Sequence, residues 1–350
     1  MRIVHFTHRF HPDIGGVELS VDRLAQQMAE LGHHVTVVTE SQASAERAIQ
    51  GLRVVRMDVR SRWPVTRFFH WSWMWRHRDE FRCADVLHFH DYGTFLHWFF
   101  PFRFLWRHPV YAMTFHGFDS WPVKRTHDVL RRVSAKCMDV TFGAGEFIRK
   151  YYGQRLDNIC IWAPLRRRTE GEWMPSPFFL YIGRLAPDTC IARIAMCLAE
   201  AAEAAHTISH LQLVGDGPDS DMIRAMQGRY FSVEIVEPTV EVDADLLRTG
   251  FVIGTGFLSI LDAFAYGIPV VAPALTPIKR DYFESLSDIS DLALYTRTDA
   301  ELRDVFTGLL DGSGLPRAKK VAENAGRYVS TLTWPGVTEL YIGNYAKRHP

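Results

Sequence analysis

The stretch FFLYIGRLAPDTCIA, residues 178 to 192, places one arginine, Arg184, directly after an apolar strand and a glycine. In open α/β sheets ligands bind beyond the carboxyl ends of the strands, and an arginine fork at that edge suits a phosphate group. A solvated surface arginine is the alternative interpretation of the same pattern. Arg184 is therefore a candidate phosphate ligand, and the rest of the chain must decide between the two interpretations.

Two further candidate positions follow apolar strands in the first half of the chain. Gly15 and Gly16 separate the first strand from the first helix, where the missing side chains let a ligand approach and helix amides face an anion. Their spacing is not GxGxxG, which disfavours NAD and FAD. His116 lies in TFHGFD, just after another strand, and is either a functional residue or a histidine that caps or packs.

The second half of the chain carries glycines and an acid at the corresponding edge. Gly215 and Gly217 lie in the turn VGDGP, which follows an apolar strand. Asp262 lies eight residues after Gly254, inside a helix that begins near GTGF. An acid one or two turns into a helix that faces a cleft can accept hydrogen bonds from ribose hydroxyls. A solvated helix face is the alternative for Asp262.

The composition is that of a folded globular protein with no global charge. Of the 350 residues, 47% are hydrophobic and 23% charged, and 40 basic residues balance 40 acidic ones, so nothing drives the chain towards nucleic acid. Five scattered cysteines without CxxC spacing are typical of reduced thiols in a cytoplasmic protein and offer no zinc site. The N-terminus reads as a strand rather than a signal peptide, and no apolar run reaches the roughly 18 to 20 residues of a membrane span. We therefore expect a soluble or peripheral protein.

The chain alternates strands and helices in two similar halves. Residues 2 to 39 form a βαβ unit, and the alternation restarts at Phe178 after a segment, 163 to 177, that carries three prolines and three arginines. We predict an α/β fold of two Rossmann-like doubly wound domains, residues 1–167 and 168–335, that face each other across a cleft. A last helix at 336–350 is expected to pack on either half.

In order and spacing, these motifs resemble those of the GT-B glycosyltransferases of the large retaining family 4. The resemblance covers nearly the whole chain and is carried by PDIGGVELSVDRLAQQMAELGHHVTVVT, TFHGFD, YIGRLAP, LQLVGDGP and ILDAFAYGIPVV. It implies transfer of a sugar from a UDP-, GDP- or dTDP-sugar to a glycan or lipid-linked acceptor, with retention of anomeric configuration and without a metal or other cofactor. The two domains would then bind acceptor and nucleotide sugar, in that order.

The resemblance also implies roles for individual residues. Gly15 and Gly16 would face the donor phosphate, His116 would lie beside the transferred sugar, and Arg184 would bind the diphosphate. His116 and Arg184 are the predicted catalytic residues. The predicted donor-binding residues are Gly15, Gly16, Arg184, Gly215, Gly217, Leu258, Asp262 and Lys279.

Lys279 enters that set because a lysine of the family pattern is missing. The family has lysine and glycine shortly after its GRL motif, where this chain has Thr189 and Cys190. Since the missing lysine would bind the diphosphate, one interpretation is that another cation of this chain replaces it. Lys279 and Arg280, just past the strand of PVVAP, are the nearest candidates by topology.

The family's Glu-x7-Glu pair is also changed. Gly254 stands in the place of the first glutamate, and Asp262, with a shorter acidic side chain, stands in the place of the second. Three interpretations remain open: an active transferase with a replacement cation, a transferase with an atypical donor, or a non-catalytic GT-B protein that binds a partner. A sugar-nucleotide epimerase is a further alternative. No lysine context typical of a pyridoxal-phosphate phosphorylase stands out.

Residues 60 to 82, RSRWPVTRFFHWSWMWRHRDEFR, combine six arginines with four tryptophans. Together with WFFPFRFLW, residues 98 to 106, they favour contact with the anionic inner face of the cell membrane and a lipid-linked acceptor. The alternative is that Phe68, Trp71 and Trp75 form one buried helix face.

Overall fold

The computed structural model describes residues 1–42, 49–58, 66–117, 124–152, 156–169, 172–286 and 288–348, without the side chains of residues 151 and 152. The chain divides into two compact units. The N-terminal unit comprises Met1–Trp162 and Trp334–Pro350, and the C-terminal unit comprises Ala163–Thr333.

The first part of the N-terminal unit alternates strands and helices. Its strands are β1 (Arg2–Thr7), β2 (His34–Thr39), β3 (Leu52–Arg56), β4 (Val86–His90), β5 (Val110–Phe115), β6 (Val140–Gly143) and β7 (Asn158–Ile159). Its helices are α1 (Gly16–Glu30), α2 (Thr66–Arg76), α3 (Arg78–Arg82), the single turn α4 (Tyr92–Thr94), α5 (Arg125–Lys136) and α6 (Phe147–Tyr152). A π-helical turn, Phe95–Phe99, and a 3-10 helix, Phe100–Phe104, connect α4 to β5.

In the described residues the strands of this unit form a parallel sheet of order β3-β2-β1-β4-β5-β6-β7. The central strands β4 and β5 are buried along their whole length, which is why β5 reads as a nearly continuous apolar run, whereas β4 also carries His88 and His90. Helix α1 buries Val21, Leu24 and Met28 at helical spacing. It stops before Gly32, whose φ of 85° suits a residue without a side chain.

The C-terminal unit repeats the pattern. Its strands are β8 (Phe178–Ile182), β9 (Ser209–Val214), β10 (Phe231–Val236), β11 (Phe251–Ile253), β12 (Val270–Pro273) and β13 (Leu294–Thr296). Its helices are α7 (Ile191–Ala205), α8 (Ser220–Arg224), α9 (Asp243–Arg248), α10 (Phe257–Ala265), α11 (Pro277–Glu284), α12 (Ile289–Leu292), α13 (Asp299–Leu310) and α14 (Leu315–Ser330). The described strands pair in parallel in the order β10-β9-β8-β11-β12-β13.

The predicted last helix is α15 (Trp334–Ala346), and it packs on the N-terminal unit. Tyr341 and Tyr345 are fully buried there, and the Tyr345 hydroxyl lies 2.7 Å from His88 Nδ1. The sequence left open on which half this helix packs, because its tyrosines pair with groups more than 200 residues away.

The prediction of an α/β fold with two doubly wound parallel sheets is confirmed. Residues 163–167, which the sequence analysis placed in the first domain, lie in the C-terminal unit. The reason is local, since the backbone amides of Leu165 and Arg166 donate to Asp262 in that unit. Among the described helices, none combines the length and apolar character needed to cross a bilayer.

Candidate functional site

Three histidines lie side by side on one face of the N-terminal sheet. His5 on β1 stands opposite His88 on β4 in the strand register, and His90 follows two residues later on the same face. All three are buried, and His5 Nδ1 lies 3.0 Å from His90 Nε2. His88 is paired separately, with Thr114 Oγ1 at 2.8 Å and Tyr345 at 2.7 Å.

His116, the predicted catalytic histidine, joins this cluster at the end of β5. Its Nε2 lies 2.9 Å from His90 Nδ1, and the residue is half-buried. Burial lowers the pKa of both His5 and His116 to about 3, and it holds the pKa of His88 and His90 well below the usual value. The imidazoles are therefore neutral at physiological pH.

The three buried histidines also have the spacing of a possible metal site. His5, His88 and His90 each offer a nitrogen, and these nitrogens lie within 4.8 Å of one another. However, every nitrogen of these three histidines except His5 Nε2 already takes part in a hydrogen bond. The partners are the other histidines of the cluster, His116, Thr114 and Tyr345. A metal would have to break those bonds, so the arrangement favours a hydrogen-bonded cluster. Metal-independent transfer remains a prediction.

Gly15 and Gly16 lie at the N-terminus of α1, as the sequence predicted. The backbone of Gly15 is extended, and the Glu18 carboxylate lies against the position that a side chain at Gly15 would occupy. Burial raises the pKa of Glu18, although its own backbone amide and Arg9 favour the charged form. Sequence analysis missed Glu18 as a site residue, although the acid in GGVE was its signal. A donor phosphate at Gly15 and Gly16 remains a prediction, and it would lie beside this carboxyl group.

A second group that the sequence did not reveal lies at the carboxyl ends of β1 and β2. Glu40 accepts hydrogen bonds from His70 of α2 at 2.7 Å and from His8 at 3.1 Å. Burial opposes ionisation of Glu40, but these two bonds outweigh it and lower its pKa to about 2. Since His70 lies 30 residues from Glu40, no local motif could have indicated the cluster.

Arg184 follows β8 and is 71% exposed in its side chain, which pairs with Asp188 at 2.6 Å. Thr189, in the place of the missing lysine, is buried and donates its hydroxyl to the carbonyl oxygen of Ala186 at 2.7 Å. Cys190 adopts a φ of 59°, the left-handed conformation that explains the glycine of the family pattern. The loop thus has a left-handed residue at position 190, where the family pattern has glycine, and no cation at position 189.

Lys279, in the first turn of α11, interacts electrostatically with Arg184 and Asp188. Its Nζ donates to the carbonyl oxygen of Thr255 at 2.6 Å. Burial lowers the pKa of Lys279 to about 8, although the negative charge of Asp188 acts in the opposite direction. Arg280, the other proposed replacement, is exposed and contacts the carbonyl oxygens of Ala274 and Arg297 instead. The structure brings Lys279, not Arg280, to the charge of Arg184.

Three glycines at this edge leave no room for a side chain. Gly217 has a φ of 151°, and a Cβ there would collide with the carbonyl group of Leu185. A Cβ at Gly254 would collide with Ile260 and Val270, so the first acid of the family pair has no space here. Gly215 similarly abuts the backbone of Gly183. The donor roles predicted for Gly215, Gly217 and the half-buried Leu258 remain predictions.

Asp262 is almost completely buried in α10, which rules out the solvated-face alternative. Its Oδ1 accepts the backbone amides of Leu165 at 2.6 Å and Arg166 at 3.2 Å, and its Oδ2 accepts Arg166 Nη1 at 2.8 Å. Burial raises the pKa of Asp262 to about 6, although Arg166 favours the charged form. The ribose role predicted for Asp262 would require a ligand to displace donors of residues 165–166.

Helix α2 does not present the buried aromatic face that was the alternative to a membrane surface. It buries His70 and Met74, whereas Phe68, Phe69 and Trp75 are 67%, 52% and 51% exposed. Phe104 and Leu105, in the second aromatic stretch, are 61% and 63% exposed. The part of the first stretch at residues 60–65 lies outside the described residues.

Comparison with known proteins finds a family model that is similar to part of the chain. Residues 14–162 match the family model described as Glycosyltransferase Family 4. Two relatives are 32% and 30% identical to this chain over 129 residues. Both are named GDP-mannose:cellobiosyl-diphosphopolyprenol alpha-mannosyltransferase, and they come from Xanthomonas oryzae pv. oryzae and Xanthomonas campestris, respectively. These alignments cover 34% of this chain and 32% of each relative, so the chain matches about a third of their length.

Solved structures match the chain along its whole length. Anabaena Alr3699/HepE, solved with UDP-glucose, is 14% identical with a TM-score of 0.74, over 99% of this chain and 100% of that one. Sucrose-phosphate synthase from Thermosynechococcus elongatus has the same identity and TM-score, over 99% and 98%. WaaG, a glycosyltransferase of lipopolysaccharide biosynthesis, is 15% identical with a TM-score of 0.69, over 97% and 98%. At such identities the likeness shows the fold, and it confirms the predicted GT-B class.

Proposed function

We propose that this chain, whose residues 14–162 match the model of Glycosyltransferase Family 4 and whose fold is GT-B, transfers a hexose with retention from a nucleoside-diphosphate sugar to a glycan acceptor. The observation that carries the proposal is that Lys279 and Arg184 lie close enough at the carboxyl edge of the second sheet for the charge of Arg184 to lower the pKa of Lys279. This edge is where open α/β sheets bind ligands. HepE was solved with UDP-glucose and the curated relatives are named for GDP-mannose, which supports a nucleotide-sugar donor.

In this proposal the two cations stabilise the leaving diphosphate. Arg184 offers a planar fork of donors, and Lys279 supplies the second positive charge that the family usually places at position 189. The acceptor attacks the sugar on the face that the diphosphate leaves, and the diphosphate receives the acceptor proton. The protein then acts mainly by positioning the reactants and by stabilising charge, without a metal.

Calorimetry with UDP and GDP tests the two cations. Arg184→Ala and Lys279→Met are each expected to weaken binding by at least about tenfold, because a charge-assisted hydrogen bond contributes roughly 1.5 to 3 kcal/mol. Arg280→Met is the matched control and is expected to bind as the parent does. Thr189→Lys in the Lys279→Met background should restore affinity, since it returns a cation to the family position. Parent-like affinity in Arg184→Ala would show that the diphosphate binds elsewhere.

One observation supports a second candidate, a non-catalytic GT-B protein that binds a partner. A side chain at Gly254, the position of the first acid of the family pair, would collide with its neighbours. The carboxylate of Asp262, at the position of the second acid, already forms an ion pair with Arg166. Incubation with each nucleotide sugar and a lipid extract distinguishes the candidates, because only a transferase forms a labelled glycolipid. Incubation with the nucleotide sugar alone reveals an epimerase through a new sugar configuration.

We further propose that the acceptor is lipid-linked and lies at the inner face of the cell membrane. The exposed rings of Phe68, Phe69 and Trp75 lie on a helix whose neighbouring residues include several arginines. Aromatic rings of this kind settle at the membrane interface while arginines meet anionic headgroups. The WaaG and mannosyltransferase relatives, named for lipopolysaccharide and for a diphosphopolyprenol, support a lipid-linked acceptor.

Sedimentation with liposomes tests this surface. The protein is expected to pellet with anionic vesicles at low salt and less at high salt, because salt screens the arginines. Replacing Phe68, Phe69 and Trp75 with serine should abolish pelleting, whereas Ile208→Ser, which removes an equally exposed apolar residue of the C-terminal unit, should not. Absence of pelleting with anionic vesicles at low salt would instead favour a soluble acceptor.

A further inference from the structure

A chain of hydrogen bonds links His116 to the interior of the N-terminal sheet, and no step of the proposed transfer accounts for it. His5 Nδ1 lies 3.0 Å from His90 Nε2, and His90 Nδ1 lies 2.9 Å from His116 Nε2. The far end of this series of hydrogen bonds, His5 Nε2, is buried and has no hydrogen-bond partner among the described residues. His116, at the other end, is half-buried.

The series of hydrogen bonds from His5 to His116 has a direction, because each neutral imidazole carries one N–H and one lone pair. The three rings are neutral, so two arrangements exist. In one, each Nδ1–H donates to the next Nε2, from His5 through His90 to His116. In the other, each Nε2–H donates inward from His116, and His5 is left with an N–H that donates to nothing.

The buried end of the chain selects between the two arrangements. An orphaned buried N–H is rarer in proteins than an acceptor with an unused lone pair. In the part of the chain that the structure describes, no acceptor lies within hydrogen-bond distance of the buried His5 Nε2, so the arrangement that leaves it as a bare lone pair is preferred. That arrangement places the His116 proton on Nδ1, at the half-buried end.

We propose that His5 and His90 are positioning residues that hold His116 as its Nδ1–H tautomer, so that His116 presents a hydrogen-bond donor at the transferred sugar. The role at the sugar rests on the proposed function, whereas the tautomer does not. In this state the Nδ1 of His116 has no lone pair with which to accept a proton, and the lone pair of its Nε2 already accepts a hydrogen bond from His90 Nδ1–H. His116 therefore stabilises an oxygen and does not act as a general base, which leaves the acceptor proton to the diphosphate.

The tautomer is measured directly by NMR on protein with 15N-labelled histidine rings. Couplings from the ring protons to the two nitrogens distinguish a protonated nitrogen from a bare one, and His116→Gln identifies the His116 signals by their loss. We expect Nδ1 to be protonated and Nε2 bare at pH 7.5. A protonated Nε2 in the wild-type protein overturns the proposal, and only the assignment of the signals uses a variant.

Variants of His90 then test the positioning role. His90→Leu removes the donor to His116, so we expect the Nε2–H tautomer to appear. His90→Asn is expected to keep the wild-type tautomer, because its amide nitrogen is as many bonds from Cα as imidazole Nδ1. His88→Leu is the matched control, since His88 is equally buried but bonds to Thr114 and Tyr345. An unchanged His116 tautomer in His90→Leu contradicts the positioning role.

Kinetics separate this proposal from the proposed function. If transfer is observed, His90→Leu should lower kcat about tenfold with the donor KM unchanged, and His90→Asn should recover it. If the wild-type protein transfers no sugar, the proposed function fails while the tautomer result stands. One equivalent of zinc in the purified protein, with His5, His88 and His90 signals shifted together, would replace the hydrogen-bonded chain with a metal centre and overturn the proposal.

Discussion

Lowering the pH from 7 to 5 is expected to destabilise the N-terminal unit strongly. Burial lowers the pKa of His5 and His116 to about 3, whereas an unfolded histidine titrates near 6.5. Below pH 6.5 the unfolded chain therefore binds protons that the folded chain does not, and stability falls as the pH falls towards 3. Each such histidine contributes a loss of about 1.4 kcal/mol per pH unit in that window.

Urea unfolding followed by tryptophan fluorescence at pH 7, 6 and 5 measures this loss, since nine of the ten tryptophans belong to the N-terminal unit. The slope of stability against pH should decrease in His5→Phe, which removes one buried imidazole. His34→Gln, which removes an exposed histidine of the same unit, should leave the slope unchanged. Equal stability at pH 7 and pH 5 would mean that the buried histidines do not remain neutral.

Removing Arg166 is expected to destabilise the C-terminal unit by roughly 3 kcal/mol at pH 8, because a buried carboxylate loses its cation. Arg166→Met abolishes the 2.8 Å pair with Asp262 and the contact with the carbonyl oxygen of Val240. The loss should be smaller at pH 5. The folded-state pKa of Asp262 is already raised to about 6, and without Arg166 it rises further, so the carboxyl group is protonated in the folded protein at pH 5.

Hydrogen exchange of β8 peptides measures the stability of this unit. Adding Asp262→Asn to Arg166→Met should recover most of the loss, because asparagine keeps an oxygen for the amides of Leu165 and Arg166 and removes the charge. Asp262→Asn alone is the matched single variant of the cycle. Equal losses in Arg166→Met and the double variant would show that the charge of Asp262 is not the cause.

The sequence predicted the elements well and the long-range pairs poorly. Buried parallel strands such as β5 and β12 are largely apolar, and that pattern is visible in a short window of residues. Lys279 could be proposed because the order of strands brings the segment after β12 to the same sheet edge as the segment after β8. The partner of Asp262 could not be predicted, since Arg166 lies 96 residues away and in a segment that looked like a linker.

The histidines show the same limit within one unit. His5, His88 and His90 read as isolated histidines in apolar strands, where a packing role is the ordinary interpretation. Only the pairing of β1 with β4 places His5 within 3.0 Å of His90, a separation of 85 residues in sequence. Glu18 was likewise visible in the sequence as the acid of the GGVE motif. Its contact with Gly15, however, depends on a side-chain conformation that no spacing rule predicts.

The return of α15 to the N-terminal unit sets an order of events on the ribosome. The nascent chain has all seven described strands of the first sheet once residue 159 has emerged, but the Tyr345 hydroxyl that His88 requires is made only after residues 163–333. At roughly 5 to 20 residues per second, those 171 residues take about 9 to 34 seconds. During that delay the surface that Tyr341 and Tyr345 later cover is open to a chaperone, and the unit that begins synthesis first is the last to be completed.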